Sequence, residues 1–176
     1  MLNRTAILLP HNHPAVLNRR TKWLGQITSP QIGPVLKRGS NSPKVGDRIQ
    51  KGHLAGAPVY TLTIEERATC PLSCEHWRSC YQNNSHWAWR YEHGPGLEHA
   101  LEAELPELAR KHVGFGFVIR LHIGGDFYSL PDVELWRRAL AGYPRMTMVG
   151  FTRRYDAGDP IADAVKKRLT IPTGSS

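Results

Sequence analysis

The stretch 115–151 constrains this chain more than any other, because it spells strand, helix and strand in one run. Phe117, Ile119, Leu121 and Ile123 place an apolar side chain at every second position, the period of a half-buried strand. Gly124 and Gly125 end that pattern. Ser129 followed by Asp132 reads as a helix start of the capping-box kind, and Pro131 suits a first turn. The helix predicted from there runs to about Ala141 and is closed by Gly142, and Met146 to Phe151 forms a second strand. Strand, helix and strand make a right-handed βαβ unit with parallel strands. The expected fold class is therefore α/β, built of parallel βα units.

The flanking sequence extends this pattern. Ala57 to Ile64, β-branched and aromatic, predicts an earlier strand. Leu97, Ala100, Leu101, Leu105, Leu108 and Ala109 recur at helical spacing up to His112, with Pro106 expected to kink or split the helix. Pro160 opens a further helix, Ile161 to about Arg168, and Leu169-Thr170-Ile171 reads as a third strand start. A βα-barrel of ordinary size needs roughly 200 residues or more. At 176 residues the chain is expected to be a partial or truncated TIM-like barrel. Two regions are expected: a loop-rich, irregular N-terminal arm over 1–56 and an α/β domain over 57–176.

Charge sets the arm apart. Residues 1–56 hold nine Lys and Arg (Arg4, Arg19, Arg20, Lys22, Lys37, Arg38, Lys44, Arg48, Lys51) against one acid, Asp47, while the other 120 residues hold fourteen of each sign. A basic arm on a neutral body fits a polyanionic partner such as nucleic acid, and equally a solvated segment. With 40% hydrophobic and 22% charged residues the composition is that of a globular protein. No apolar run reaches the roughly 20 residues of a membrane span. The apolar patch within Met1 to Pro10 is too short for a signal-peptide core, so the cytosol is the expected address.

All three cysteines, Cys70, Cys74 and Cys80, fall in one loop directly after the strand ending at Ile64. An odd, clustered set does not fit a disulfide framework and points to metal or cluster ligands. Three thiolates on a four-iron cluster leave one iron open to a substrate or cofactor. A zinc ion could use the same thiols with His76 or His86 as fourth ligand, and spacing alone does not decide between the two. Buried structural cysteines are the third alternative.

Other candidates sit at strand ends. Gly124, Gly125 and Asp126 follow the C-terminal end of a predicted parallel strand, the edge where such sheets bind ligands. Paired glycines admit a ligand to the backbone, and Asp126 could hold an ammonium or hydroxyl group, or simply cap the helix start. Thr152 and Arg153 end the next strand, where Arg153 could pair with a carboxylate or phosphate. Arg120 and His122 are expected on one face of their strand, Arg120 with an acidic neighbour or a ligand and His122 as a satisfied core histidine. Trp77, Tyr81, Trp87, Trp89 and Tyr91 are expected to pack over the cysteine loop rather than stack on bases.

A cysteine loop after the first strand, ending Cys80-Tyr81, followed by the Gly124-Gly125 strand end, resembles radical S-adenosylmethionine enzymes. The resemblance implies a [4Fe-4S] cluster on three cysteines, with the cofactor's methionine moiety on the open iron and its amino group at the Gly-Gly strand end. Tyr60 to Tyr81, Arg120 to Trp136 and Phe151-Thr152-Arg153 more closely resemble the phage and bacterial gene-product-88-like family, over residues from about 43 to 165. That likeness implies an N-terminal portion of a longer protein and supports a cluster and barrel-like fold. The chain departs from the radical enzymes in having three and then five residues between its cysteines, and Asp126 rather than Glu-Pro after the glycines. The resulting expectation is an iron–sulfur protein whose Gly124, Gly125, Asp126, Thr152 and Arg153 contact the cofactor; the alternative is a zinc- or cluster-stabilised nucleic-acid-binding protein without catalysis.

Overall fold

The computed structural model describes residues 27–41, 46–66, 68–76, 80–84 and 90–169. Arg4, Arg19, Arg20, Lys22, Lys44, Trp77, His86, Trp87, Trp89, Thr170 and Ile171 lie outside the described residues. The regular elements in chain order are β1 (Ile27–Thr28), β2 (Lys37–Arg38), β3 (Val59–Thr61), β4 (Arg90–Tyr91), α1 (Pro95–Lys111), β5 (Phe117–Arg120), α2 (Leu130–Gly142), β6 (Met146–Val149) and α3 (Pro160–Arg168).

Strands β3, β5 and β6 are mutually parallel, and β2 pairs antiparallel with β3, giving the order β2-β3-β5-β6. The α/β class and the parallel βα units of the sequence are therefore present. The sheet is open: four strands are about half of what a TIM-type closure uses, and the antiparallel β2 ends one side. The barrel read from the sequence is not formed among the described residues. Near the strand ends β4 takes over as a neighbour, since Ile64 bridges Tyr91 on one side and donates to the Gly124 carbonyl on the other.

Helices pack on one face. Tyr60, Phe117, Ile119 and Leu121 share a core with Leu97, Leu101, Leu105 and Leu108 of α1, Val133 and Trp136 of α2, and Ile161 of α3. On the other face, among the described residues, Val59 and Val118 are covered by Ala57, Ile49 and Leu54. The composition boundary at residue 57 is not an edge of the core. Val35 and Leu36 are buried in the main cluster, and their N–H groups donate to the Glu104 carboxylate on α1.

Local signals explain most of these elements. Ser129 Oγ accepts from the Asp132 N–H and Asp159 caps α3 through Ile161, with Pro131 and Pro160 in the first turns. Helix α1 corrects the expectation at Pro106: it runs through the proline unsplit. Pro106 faces solvent between the buried Leu105 and Leu108, and burying leucines at about 1.5–3 kcal/mol each outweighs the roughly 3 kcal/mol a proline costs. Restoring the missing N–H in Pro106→Ala is expected to raise unfolding free energy by about 1–3 kcal/mol in urea denaturation. An unchanged midpoint would mean that α1 has adapted to the proline.

Candidate functional site

The cysteine loop is held at both ends by one buried arginine. Arg90, on the two-residue β4, is fully buried; its Nε donates to Glu66 Oε2 at 2.8 Å and its Nη2 to the Gln82 carbonyl at 2.7 Å. Glu66 precedes Cys70 and Gln82 follows Cys80, so a single guanidinium ties the loop shut at its base. Charge-assisted contacts of this kind are strong when desolvated.

Thr69 joins the loop to the strand ends. Its hydroxyl donates to the Glu65 carbonyl and accepts the Asp126 N–H, while its own carbonyl accepts from Arg154 Nη2 at 3.0 Å. At the other end of the loop, Gln82 Nε2 and the Tyr81 hydroxyl both donate to the Ile123 carbonyl. Further out, Ser73 donates to Asp156, and Arg153 pairs with Glu75 at 3.1 Å. Every segment singled out from the sequence is thus brought to the C-terminal edge of the sheet: the cysteine loop, Gly124-Gly125-Asp126 and Thr152-Arg153.

Their partners differ from the sequence reading. A Cβ on Gly124 would stand 2.7 Å from Gln82 Cδ, and one on Gly125 2.3 Å from Ile64 Cγ1 and 2.7 Å from Thr69 Oγ1. The close approach these glycines permit is therefore that of the cysteine loop's own base. Asp126, 2% exposed, accepts from the Phe127 N–H and the Thr152 hydroxyl on Oδ1 and from the Arg153 N–H on Oδ2. It binds the ends of β5 and β6 together, and helix α2 is capped by Ser129 instead. Burial raises the Asp126 pKa while these donors hold it down.

None of the three cysteines is in a disulfide, and all are of intermediate exposure. The Cys74 N–H returns to the Pro71 carbonyl, a turn that folds the three-residue spacer between Cys70 and Cys74. Tyr81 presents an exposed ring but a tucked-in hydroxyl. Burial raises its pKa most, Gln82 lowers it, Cys80 and Cys70 add to the rise and Arg120 opposes it. Among the described residues no three His, Cys, Asp or Glu side chains stand together closely enough to hold a metal ion. Three thiols in one loop are donors of the soft type that thiophilic metals take. His76 is exposed beside Glu75 at 3.5 Å.

His122 corrects the strand reading. Leu62 donates to the Arg120 carbonyl, but Ile123, not His122, returns the bond to Leu62, so His122 is an extra residue in the ladder, at φ 50°. The regular strand therefore ends at Arg120 and the expected Arg120/His122 alternation breaks. The imidazole is buried edge-on to Phe127, with ring centroids 4.6 Å apart, and neither nitrogen has a hydrogen-bond partner. The satisfied core histidine of the sequence reading is thus an unsatisfied one. Thr69, Gln82 and Arg90 were missed, since nothing in their local sequence marks them. Arg154 donates to Phe127 O, Thr69 O and Asp159 from a buried position.

No protein family, curated protein or solved structure matches the chain. Among the described residues no helix is long and apolar enough to cross a membrane.

Two tests follow from this packing. Gly125→Ala, at φ +85° against Ile64 and Thr69, is expected to lower the urea midpoint by the equivalent of about 2 kcal/mol or more. Gly142→Ala, with nothing within 4 Å, should be neutral or gain about 0.4–1 kcal/mol. An equal response of the two would remove the packing role of Gly125.

Stability should also have a distinctive pH profile. Burial depresses the His122 pKa to about 3, with Arg154 adding, so the unfolded chain binds more protons below about 6.5 and acid destabilises. Burial raises the Asp132 pKa to about 8, so the folded chain binds more protons between about 8 and 3.8 and acid stabilises. Stability is expected to rise from pH 8 to 6.5 and then to level off, each group acting with a slope of at most about 1.4 kcal/mol per pH unit. Asp132→Asn should remove the rise, and His122→Asn should extend it toward pH 4, as read by urea unfolding across pH.

Proposed function

We propose that the chain is an iron–sulfur protein of the radical S-adenosylmethionine type, with Cys70, Cys74 and Cys80 as cluster ligands. The observation that supports this reading is a loop of three partly accessible, non-disulfide cysteines tied down at the C-terminal edge of a parallel sheet. When bound, the cluster would supply one-electron chemistry at an iron lacking a protein ligand. The chain's own residues hold the loop. Arg90 closes its base, Thr69 fixes the approach to Cys70, and Gln82 fixes the exit from Cys80. Gly124, Gly125, Asp126, Thr152 and Arg153 form the adjoining platform, so a methionine-type cofactor would lie against their backbone rather than on the Asp126 carboxylate. In this reading the open sheet is part of a larger TIM-like barrel, in keeping with the gene-product-88-like resemblance.

Nucleic acid as the substrate rests on the basic residues of 1–56 alone. Of these, Arg38 is already paired with Asp47 and Arg48 with the Gly56 carbonyl. The zinc reading uses the same thiols. Metal and inorganic-sulfide analysis with a visible spectrum, on protein purified without oxygen, separates the two. Iron with matching sulfide, lost in the Cys70→Ala/Cys74→Ala/Cys80→Ala variant, is the expected result. Zinc without sulfide would replace the enzyme reading with a structural-metal one, and protein with neither metal would end both.

A further inference from the structure

The edge of the sheet opposite the cysteine loop ends in an apolar tip. Helix α1 stops at Lys111, and Val113-Gly114-Phe115-Gly116 carries the chain round into β5. Phe115 is 84% exposed and Val113 71% exposed. The turn that presents them is tightly held. The Gly116 N–H donates to the His112 carbonyl at 2.8 Å, Arg145 Nη1 to the Gly114 carbonyl at 2.6 Å, and the Phe117 N–H to the Arg145 carbonyl at 3.1 Å. A Cβ on Gly116, at φ +75°, would stand 2.3 Å from the Arg145 carbonyl oxygen. The turn between α2 and β6 thus braces the tip from the side. Two apolar side chains kept in water on one braced turn are unfavourable by themselves, and apolar groups rimmed by charge mark interaction surfaces.

That rim is cationic. Segments 46–58, 107–117 and 142–146 meet at this edge, since the Val118 N–H donates to the Pro58 carbonyl one residue beyond Phe117. They hold Arg48, Lys51, Arg110, Lys111 and Arg145 against two acids, Asp47 and Glu107. Both acids are already taken, Asp47 by Arg38 and Glu107 by Arg110. Arg38 belongs to the same cluster: its guanidinium carbon lies 5.3 Å from the Tyr60 ring, whose hydroxyl meets His112 Nε2 at 2.8 Å. Arg48, Lys51, Lys111 and Arg145 are exposed and form no ion pair among the described residues; Arg48 and Arg145 reach backbone carbonyls instead.

We propose that this N-terminal edge of the sheet docks on an anionic lipid surface, with Val113 and Phe115 entering the boundary of the acyl layer and the four unpaired cations meeting the headgroups. A second copy of the same surface is disfavoured, because like charges would face each other. Nucleic acid would use the cations but not Val113, since an aliphatic side chain offers a base no face to stack on. An anionic bilayer surface uses both, through apolar insertion and attraction of each Lys or Arg. The inference does not rest on the proposed function. It sets the cysteine loop, held at the opposite edge by Ile123 and Asp126, on the side away from the lipid.

Co-sedimentation of the full chain with phosphatidylcholine vesicles, prepared with and without phosphatidylserine, tests the surface. Binding is expected on the vesicles that carry phosphatidylserine, and it should weaken as sodium chloride is added. Val113→Ser/Phe115→Ser should weaken it by about ten- to hundredfold, and Lys111→Gln by roughly fivefold. Phe151→Ser, which removes a ring 79% exposed at the other edge, should leave binding as it is. Urea midpoints of the tip variants should match the wild type, because the altered side chains already stand in water. Should the double variant unfold, Lys111→Gln and the salt dependence decide. No binding to phosphatidylserine vesicles, equal binding to phosphatidylcholine alone, indifference to the tip variants, or the same loss in Phe151→Ser would each overturn the proposal. Tip-dependent binding to a single-stranded oligonucleotide that exceeds binding to the vesicles would replace the lipid with nucleic acid.

Discussion

Arg90 is a charge without water. Its guanidinium is wholly enclosed, so its stability depends on Glu66 at 2.8 Å and the Gln82 carbonyl at 2.7 Å. Taking one partner from a buried pair typically costs about 3–5 kcal/mol, far more than a surface pair contributes. Glu66 and Gln82 lie at the base of the same loop, so this requirement also closes the loop around the three cysteines. Surface pairs such as Arg110–Glu107 and Arg137–Glu134 carry no comparable constraint.

Closure of the loop then dictates the strand ends beside it. Gln82 presses on Gly124, and Ile64 and Thr69 press on Gly125, leaving no room for a side chain at either position. The chain reaches those glycines through His122, whose left-handed backbone absorbs one extra residue in the ladder. Asp126 and Arg154 fasten what results: the first ties β5 to β6, the second ties Thr69, Phe127 and Asp159 together. A buried imidazole with no partner and a non-glycine residue at positive φ are unfavourable features gathered at this one edge. Such strain persists only where the surroundings over-determine it.

Helices on one face and a short loop on the other leave the sheet lopsided. The covered face supplies the core, from Tyr60 and Phe117 to Trp136 and Ile161. Among the described residues the other face is covered at its lower end by Ile49 and Leu54, and higher up it carries Arg120, Val149 and the exposed Phe151. The strand ends that hold the cysteine loop lie at the C-terminal edge of the sheet. An open α/β sheet conventionally binds its ligands at this edge.

The sequence by itself determined the elements whose causes are local. Alternation over Phe117 to Arg120, the Ser129 and Asp159 caps and the prolines that follow them all act within a few residues, and the strand–helix–strand unit appears where they predict. The clustering of Cys70, Cys74 and Cys80 and their position after a strand were equally legible, as was the gathering of residues 124–126 and 152–153 at strand ends. Tertiary structure decided what those residues touch. Pro106 stays inside α1 because leucines on both sides of it are buried, and Val35 and Leu36 enter the core from a segment whose composition reads as a loose arm. Arg90 meets Glu66 and Gln82 across 24 and 8 residues, and Thr69 meets Arg154 across 85. No periodicity records such partners, because desolvation of a charge is a property of the space around it rather than of its neighbours in the chain.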